Sequence, residues 1–273
     1  MTIQYTALSW PQLEEAVAKD AIVIVPVGAT EQHGHHLPLE VDWRLVSTVA
    51  EAAAERAAAR GRRVLVTPSV WTGYSPHHMQ FSGSITLSLQ TFLAVVGDIV
   101  RSLHQHGFRR ILLLNGHGGN SNLLRSLVQD LRFRDQIRAA TASYWDFALN
   151  DIQRWRHSAP GGINHACEME TSLMLTVMPQ FVDMSKARDA TLSTGSHYLS
   201  PDLAVGGAVT VARTFAELTP DGVVGNPAAA DAERGKQLLD TMIELVAEFL
   251  DVFAKWSWDD PQDGVVRFER KTP

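Results

Sequence analysis

The chain has a single cysteine, Cys167, among its 273 residues. One thiol cannot form a disulfide within the chain, and it cannot supply the several thiolates of the common structural zinc sites. No run approaches the ~20 apolar residues that a membrane-spanning helix requires, and the N-terminal stretch lacks the basic and apolar segments of a secretory signal. We therefore expect a cytoplasmic protein that does not associate with membranes.

Basic charge is also scarce. Lysine and arginine total 24 against 30 aspartates and glutamates, which leaves a formal net charge of -6. A nucleic-acid surface needs clustered positive charge, but the arginines at 132, 134, 154 and 156 are interleaved with apolar side chains. We therefore expect no nucleic-acid partner and look for a small-molecule substrate.

Short apolar runs alternate with amphipathic stretches along the chain, which predicts a mostly parallel sheet with helices on both faces. The predicted strands are 21–27, 63–67, 110–114 and 139–144, and the predicted longer helices are 41–60, 91–106, 121–132, 165–177 and 228–255. We expect one α/β domain over 1–273 with an α/β/α layered fold. Loop and edge strand near the site are expected at 184–219, and an extended tail at 256–273.

Metal-capable side chains follow two of these strands. Glu31, His33 and Asp42 come after strand 21–27, and His117 lies in the glycine-rich segment NGHGGN after strand 110–114. Parallel sheets place ligand sites beyond the carboxyl ends of strands, and imidazole and carboxylate ligands suit Zn²⁺, Mn²⁺ or Fe²⁺. The spacing matches no short zinc signature, so these residues alone leave a metal site and a polar loop equally open.

A third polar cluster reads NHACEMETS from residue 164. If a helix starts at His165, then His165 and Glu168 share one face and could provide a proton-transfer group and a carboxylate ligand. The alternative is a purely structural helix start, in which Asn164 is the N-cap and the acidic residues of the first turn interact favourably with the helix dipole.

Four segments, in order, resemble the creatininase family of metal-dependent amidohydrolases: VPVGATEQHGHHLPLEVD, SPHHMQFSGSITL, LLLNGHGGN and HACEMETSLML. The resemblance implies a site for two divalent ions, Zn²⁺ before Mn²⁺ or Fe²⁺, with Asp42 bridging them. Glu31, His33 and His117 fall on the other ligand positions that match. It also implies a homo-oligomer, with a hexamer favoured.

This chain departs from creatininase proper in the loop after strand 110–114. Gly118 and Gly119 stand where creatininase has an aromatic residue and a ligating Glu, and we expect Glu168 to replace that ligand. The same resemblance assigns proton transfer to His165 or Glu168. His78, Gly118 and Gly119 are the residues expected at the substrate.

The implied reaction is hydrolysis of a C–N bond in a small cyclic amide or formamide, with a water held between the two ions as nucleophile. Loss of the aromatic–Glu pair argues against creatinine itself. Two alternatives stay open: ring-opening of a cyclic ketone from sugar or inositol catabolism at the same site, and a family member that binds metal without catalysis.

Overall fold

The computed structural model describes residues 2–193 and 196–256. Its sheet has four parallel strands in the order β2-β1-β3-β4, which confirms the predicted α/β class. The strands are β1 (Ile22–Val27), β2 (Val64–Val66), β3 (Arg110–Asn115) and β4 (Ala140–Ser143).

Both faces of the sheet are covered by helices. The helices are α1 (Trp10–Ala18), α2 (Val41–Ala59), α3 (Leu89–Gln105), α4 (Ser121–Arg134), α5 (Leu149–Trp155), α6 (Glu168–Val177), α7 (Phe215–Leu218) and α8 (Ala232–Phe253). Side chains alternate along β1: Ile22 and Ile24 join a core with α2, α6 and α8. Val23 and Val25 face the opposite core with α1, α3 and α4. A strand buried on both faces explains the continuous apolar sequence.

The predicted boundaries fail at one functionally important place. Helix α6 begins at Glu168 and not at His165, because Ala166 has a positive φ of 51° and Cys167 is extended as the N-cap. His165 instead pairs with Val224 in an isolated β-bridge. His165 therefore lies outside the helix and, contrary to the sequence-based expectation, does not share a helix face with Glu168.

The stretch predicted at 184–219 as loop and edge strand is irregular in its described part, apart from one 3-10 turn (Met184–Lys186) and α7. In place of an edge strand, the described residues there have one isolated β-bridge, from Ala190 to Gly225. The tail predicted at 256–273 lies outside the described residues except for Trp256, whose ring packs edge-on against Phe253. Within 2–193 and 196–256, no helix combines the length and apolarity needed to span a bilayer.

The sheet order brings two polar loops together. β1 pairs directly with β3, and Val27 is in register with Asn115 at the carboxyl ends of both strands. The loop after β3 then packs against the start of α2 so closely that a Cβ on Gly116 would lie 2.5 Å from the Asp42 carbonyl oxygen. Glycine is required here by the approach of two backbones.

Candidate metal centre

Asp42 lies at the centre of a buried cluster of histidines and carboxylates. Its Oδ1 is 3.2 Å from His33 Nε2, and its Oδ2 is 3.1 Å from His117 Nδ1. Glu31 Oε1 is 3.4 Å from the same His117 nitrogen, and Glu170 Oε1 is 3.8 Å from His33 Nε2. Two ligands of one tetrahedral zinc are roughly 3.3 Å apart, given bonds of about 2.0–2.1 Å. The spacings therefore suit shared coordination.

The hydrogen bonds of the two histidines orient the free nitrogens toward these carboxylates. His33 Nδ1 is 3.1 Å from the Glu31 carbonyl oxygen, and His117 Nε2 is 3.1 Å from the Tyr74 carbonyl oxygen. Carbonyl oxygens only accept, so each of these nitrogens carries the proton. In the neutral rings that a metal would bind, the lone pairs of His33 Nε2 and His117 Nδ1 would therefore face the acidic groups, as in metal-binding histidines whose second nitrogen is held by a backbone carbonyl.

Three buried atoms in the cluster make no hydrogen bond of good geometry among the described residues: Glu31 Oε2, His33 Nε2 and Asp42 Oδ2. The last two have only the histidine–carboxylate contacts given above. Leaving such atoms unsatisfied is costly, and here they belong to one group. Two sets of ligand atoms share Asp42, one with Glu31 and His117 and the other with His33 and Glu170. Three buried carboxylates and two neutral imidazoles fit a pair of divalent cations.

The pKa values of the cluster residues show that the buried carboxylates favour positive charge on their neighbours. Burial alone would lower the pKa of His117, but the carboxylates of Glu31 and Asp42 raise it to about 10. For His33, burial is likewise outweighed by Asp42 and Glu170, which hold its pKa well above the usual value. Burial would raise the pKa of Glu31, but His117 and His78 keep it well below its ordinary range. The metal-free cluster therefore retains protons at the positions that cations would occupy.

Glu168 lies away from the metal-capable cluster, which corrects the sequence-based expectation that it is a ligand. Its carboxylate is fully buried but accepts hydrogen bonds from the backbone N–H groups of His157 and Ser158, at 2.8 and 2.9 Å, and lies 3.4 Å from Arg234 Nη1. It belongs to no group of metal-capable atoms within the described chain. With α6 starting at Glu168, Glu170 in the first turn reaches the cluster instead.

His165 lies beside the cluster, where a proton-transfer group would be needed. Its ring is 4.2 Å from that of His33 between centroids, and its Nδ1 is 3.7 Å from Glu31 Oε1. Its Nε2 is 2.7 Å from the Gln32 carbonyl oxygen, so Nε2 donates and Nδ1 keeps a lone pair. Burial, with His33 and His78, holds the pKa of His165 well below its usual value, which keeps the ring neutral.

The cluster opens into a cleft of about 190 Å³. His78, Gly118 and Gly119, the residues expected near substrate, all line it. His78 also has a structural contact, because its Nε2 is 3.2 Å from Glu31 Oε1. A Cβ on Gly119 would lie 2.4 Å from His117 Nε2, so this position cannot carry a side chain without displacing that histidine.

Sequence reasoning missed three residues of this site. Glu170 was assigned to a different helix face from His165 and Glu168, because the helix start was misplaced by three residues. Gln32 lies between two histidines, and Phe215 stacks on His78 with centroids 4.1 Å apart. The EQH order in the sequence could have singled out Gln32, but no local signal points to Phe215, which is the first residue of the distant short helix α7.

Comparison with known proteins gives the family. A family model for creatinine amidohydrolase matches residues 6–250. The chain is 32% identical over 259 residues to the creatinine amidohydrolase of Pseudomonas putida, covering 88% of this chain and 93% of that protein. It is 30% identical over 242 residues to the mycofactocin precursor peptide peptidase of Mycobacterium ulcerans, covering 86% and 85%. It is 27% identical over 271 residues to the 3-dehydro-scyllo-inosose hydrolase of Thermotoga maritima, covering 92% and 85%.

Solved structures agree in fold. A crystal structure of creatinine amidohydrolase superposes with a TM-score of 0.75 at 30% identity, covering 94% of this chain and 99% of that one. A structure described as Creatininase Mn gives 0.73 at 30% identity, covering 92% and 98%. A creatininase mutant described as Zn-Zn type gives 0.73 at 30%, covering 92% and 97%. This chain belongs to the creatininase family and is a hydrolase whose clustered histidines and carboxylates form a site for divalent metal.

Proposed function

We propose that this protein hydrolyses the C–N bond of a small amide, either a cyclic amide or a formamide, at a centre that holds two divalent ions. The observation that carries the proposal is the position of Asp42 between two sets of ligands, one with Glu31 and His117 and one with His33 and Glu170. Zn²⁺ is the first choice because the site mixes imidazole and carboxylate ligands, and Mn²⁺ accepts the same donors.

Two bound ions would lower the pKa of a water at the site and polarise the substrate carbonyl. The chain's own residues supply the rest. Glu31, Asp42 and Glu170 would hold the cations, and the neutral Nδ1 of His165 would accept the proton of the attacking water and return it to the leaving nitrogen. Phe215 stacks on His78 and lies 4.6 Å from the His165 ring between centroids, which excludes bulk water from that side.

Glu168 has no part in this proton transfer, although the sequence suggested one. Its carboxylate is already held by two backbone donors and Arg234, away from the cleft. We assign it to positioning, because it fixes the loop of His157 and Ser158 against the first turn of α6.

A second cavity of about 470 Å³ adjoins the cleft and shares Asn164 and Phe215 with it. Its lining combines apolar side chains such as Leu199 and Val209 with the charged groups of Arg213 and Glu217. A substrate with a substituent on its amide could extend into this space, so amides larger than creatinine belong in any substrate screen.

The test uses metal-depleted protein reconstituted with zinc or manganese and a panel of lactams, cyclic ureas, formamides, short peptides and cyclic ketones. We expect amide turnover only in the reconstituted protein, and loss of both metal and turnover in Asp42→Asn. The exposed Asp98→Asn change is the matched control and should behave as the wild type. Two bound equivalents with no turnover anywhere in the panel would contradict the proposal and indicate a metal-binding protein without catalysis.

Ring-opening of a cyclic ketone is the second candidate, favoured by the 27% identity to the inosose hydrolase over 92% of this chain. The same polarised carbonyl and the same proton donor would serve, but a C–C bond would break. Ketone opening without amide hydrolysis on the same panel would replace the first proposal with this one.

We also propose a homo-oligomer, with a hexamer as the first expectation. The exposed apolar side chains of Trp71 and Ile85, on loops joined through Thr30, support a covered face. Light scattering coupled to size-exclusion chromatography tests it, and a monomer at micromolar concentration would contradict it.

A further inference from the structure

Gln32 is almost fully buried between the metal cluster and two histidines that are not in either Asp42-centred ligand set. Its side-chain nitrogen is 2.9 Å from His78 Nδ1, 3.1 Å from His165 Nε2 and 3.1 Å from the Gly222 carbonyl oxygen. Its side-chain oxygen is 2.9 Å from the backbone nitrogen of Gly34. We propose that Gln32 is a positioning residue that fixes the proton positions of His78 and His165 and thereby prepares both for the reaction.

The orientation of the Gln32 amide follows from an unambiguous donor. The backbone N–H of Gly34 can only donate, so the atom facing it must be the amide oxygen. The opposite side of the amide is then the NH₂ group with two hydrogens to give. The Gly222 carbonyl oxygen accepts one, and His78 Nδ1 accepts the other.

His78 is thereby restricted to one tautomer. With Nδ1 accepting from Gln32, the ring proton lies on Nε2, which faces Glu31 Oε1 at 3.2 Å. His78 therefore donates a hydrogen bond to Glu31 and leaves Glu31 Oε2, which has no partner, for a cation. The set of Glu31, His77 and His78 is close enough to ligate but is unsuited to a metal, because the neutral His78 ring cannot free Nε2 of its proton while Nδ1 accepts from the Gln32 amide.

His165 is restricted to the same Nε2–H tautomer, but through the backbone of Gln32 and not its side chain. The Gln32 carbonyl oxygen accepts from His165 Nε2 at 2.7 Å. Both hydrogens of the Gln32 amide are already used, so its 3.1 Å approach to His165 Nε2 is a packing contact and not a competing hydrogen bond. The Nδ1 lone pair of His165 is left facing the cleft, as a proton acceptor needs.

The backbone holds Gln32 in this position. Gly222 has a φ of 83°, and a Cβ there would lie 1.8 Å from the Gln32 side-chain oxygen. The backbone N–H of Gln32 donates to Ser84 Oγ at 3.1 Å. A side chain fixed from three segments of the chain can define proton positions in a way that a mobile one cannot.

The test is neutron diffraction of deuterated, zinc-loaded crystals of the wild type, Gln32→Leu and Gln32→Glu, because deuterium is visible on ring nitrogens. In the wild type we expect deuterium on Nε2 of both His78 and His165 and on neither Nδ1. Gln32→Glu keeps the acceptor for Gly34 but has no hydrogen for His78, so deuterium should appear on His78 Nδ1. Deuterium on His78 Nδ1 in the wild type would overturn the inference.

Kinetics provide the second readout, and only this readout rests on the proposed function. Gln32→Leu should lower kcat about 10- to 100-fold, as typical for residues that orient a metal site, while KM and bound zinc change little. Gln105→Leu, at an exposed helix end, is the matched control and should leave all three unchanged. Unaltered kcat in Gln32→Leu would contradict the positioning role. If no substrate is turned over at all, the deuterium positions still decide the inference.

Discussion

Asp42 and Gly116 lie on loops that follow different strands, yet a Cβ at Gly116 would approach the Asp42 carbonyl oxygen to 2.5 Å. This contact between backbones joins the start of α2 to the end of β3. It places the Asp42 carboxylate 3.1 Å from His117 and 3.2 Å from His33. The pairing of β1 with β3 therefore brings the two ligand-bearing loops together.

Glu170 and Glu168 should respond in opposite ways to the same isosteric change. Glu170→Gln removes a charged ligand, so we expect a loss of about one metal equivalent per chain together with turnover. Glu168→Gln should keep its metal but lower the free energy of unfolding by about 1–3 kcal/mol, because hydrogen bonds to a buried charged group are weakened. Elemental analysis measures the bound metal of both variants, and thermal denaturation measures their stability. Metal loss confined to Glu168→Gln would reverse the assignment.

His165→Asn should separate metal binding from turnover. Proton transfer by a positioned side chain contributes typically 10²- to 10⁴-fold, so kcat should fall within that range while bound zinc stays at the wild-type level. His106→Asn, at an exposed position, is the control. A full rate in His165→Asn would end the proton-transfer role, and a loss of zinc would make His165 a ligand.

The two adjacent glycines of the β3 loop form a matched pair for testing site geometry. A methyl group at Gly119 would meet His117 Nε2 at 2.4 Å and the Tyr74 carbonyl oxygen at 2.6 Å, whereas a methyl group at Gly118 meets nothing within 4 Å. Gly119→Ala should therefore weaken zinc affinity by displacing His117, and Gly118→Ala should leave it unchanged. Isothermal titration with zinc compares them, and equal affinities would contradict the geometry.

The metal-free protein should lose stability as pH rises. The pKa of His117 is about 10 in the folded chain against an ordinary value of 6.5, so the native state binds the proton more tightly than the unfolded chain. That contribution is complete below pH 6.5 and disappears as pH rises toward 10. With zinc the trend should reverse, because ligands must lose protons to bind metal. Melting temperatures with chelator and with zinc, between about pH 6.5 and 9, test both slopes. If the melting temperature of the metal-free protein instead rose with pH, the raised pKa assigned to His117 would be wrong.

The strands and most helices were predictable because their apolar patterns are strong and local. Glu31, His33, Asp42 and His117 were predictable as a group, since parallel strands carry their ligands at the same edge. Glu170 was not, because its position depends on a positive φ at Ala166 that delays the start of α6. Phe215 reaches the site only through tertiary packing against His78, which no window of sequence encodes.

Anomalous diffraction from crystals grown with zinc tests directly whether two ions bind at Asp42. We expect two peaks on either side of the Asp42 carboxylate, one contacting Glu31 Oε2 or Oε1 and His117 Nδ1, the other contacting His33 Nε2 and Glu170. A single peak away from Asp42, or two peaks with Glu168 among the ligands, would contradict a two-ion site built around Asp42 and Glu170.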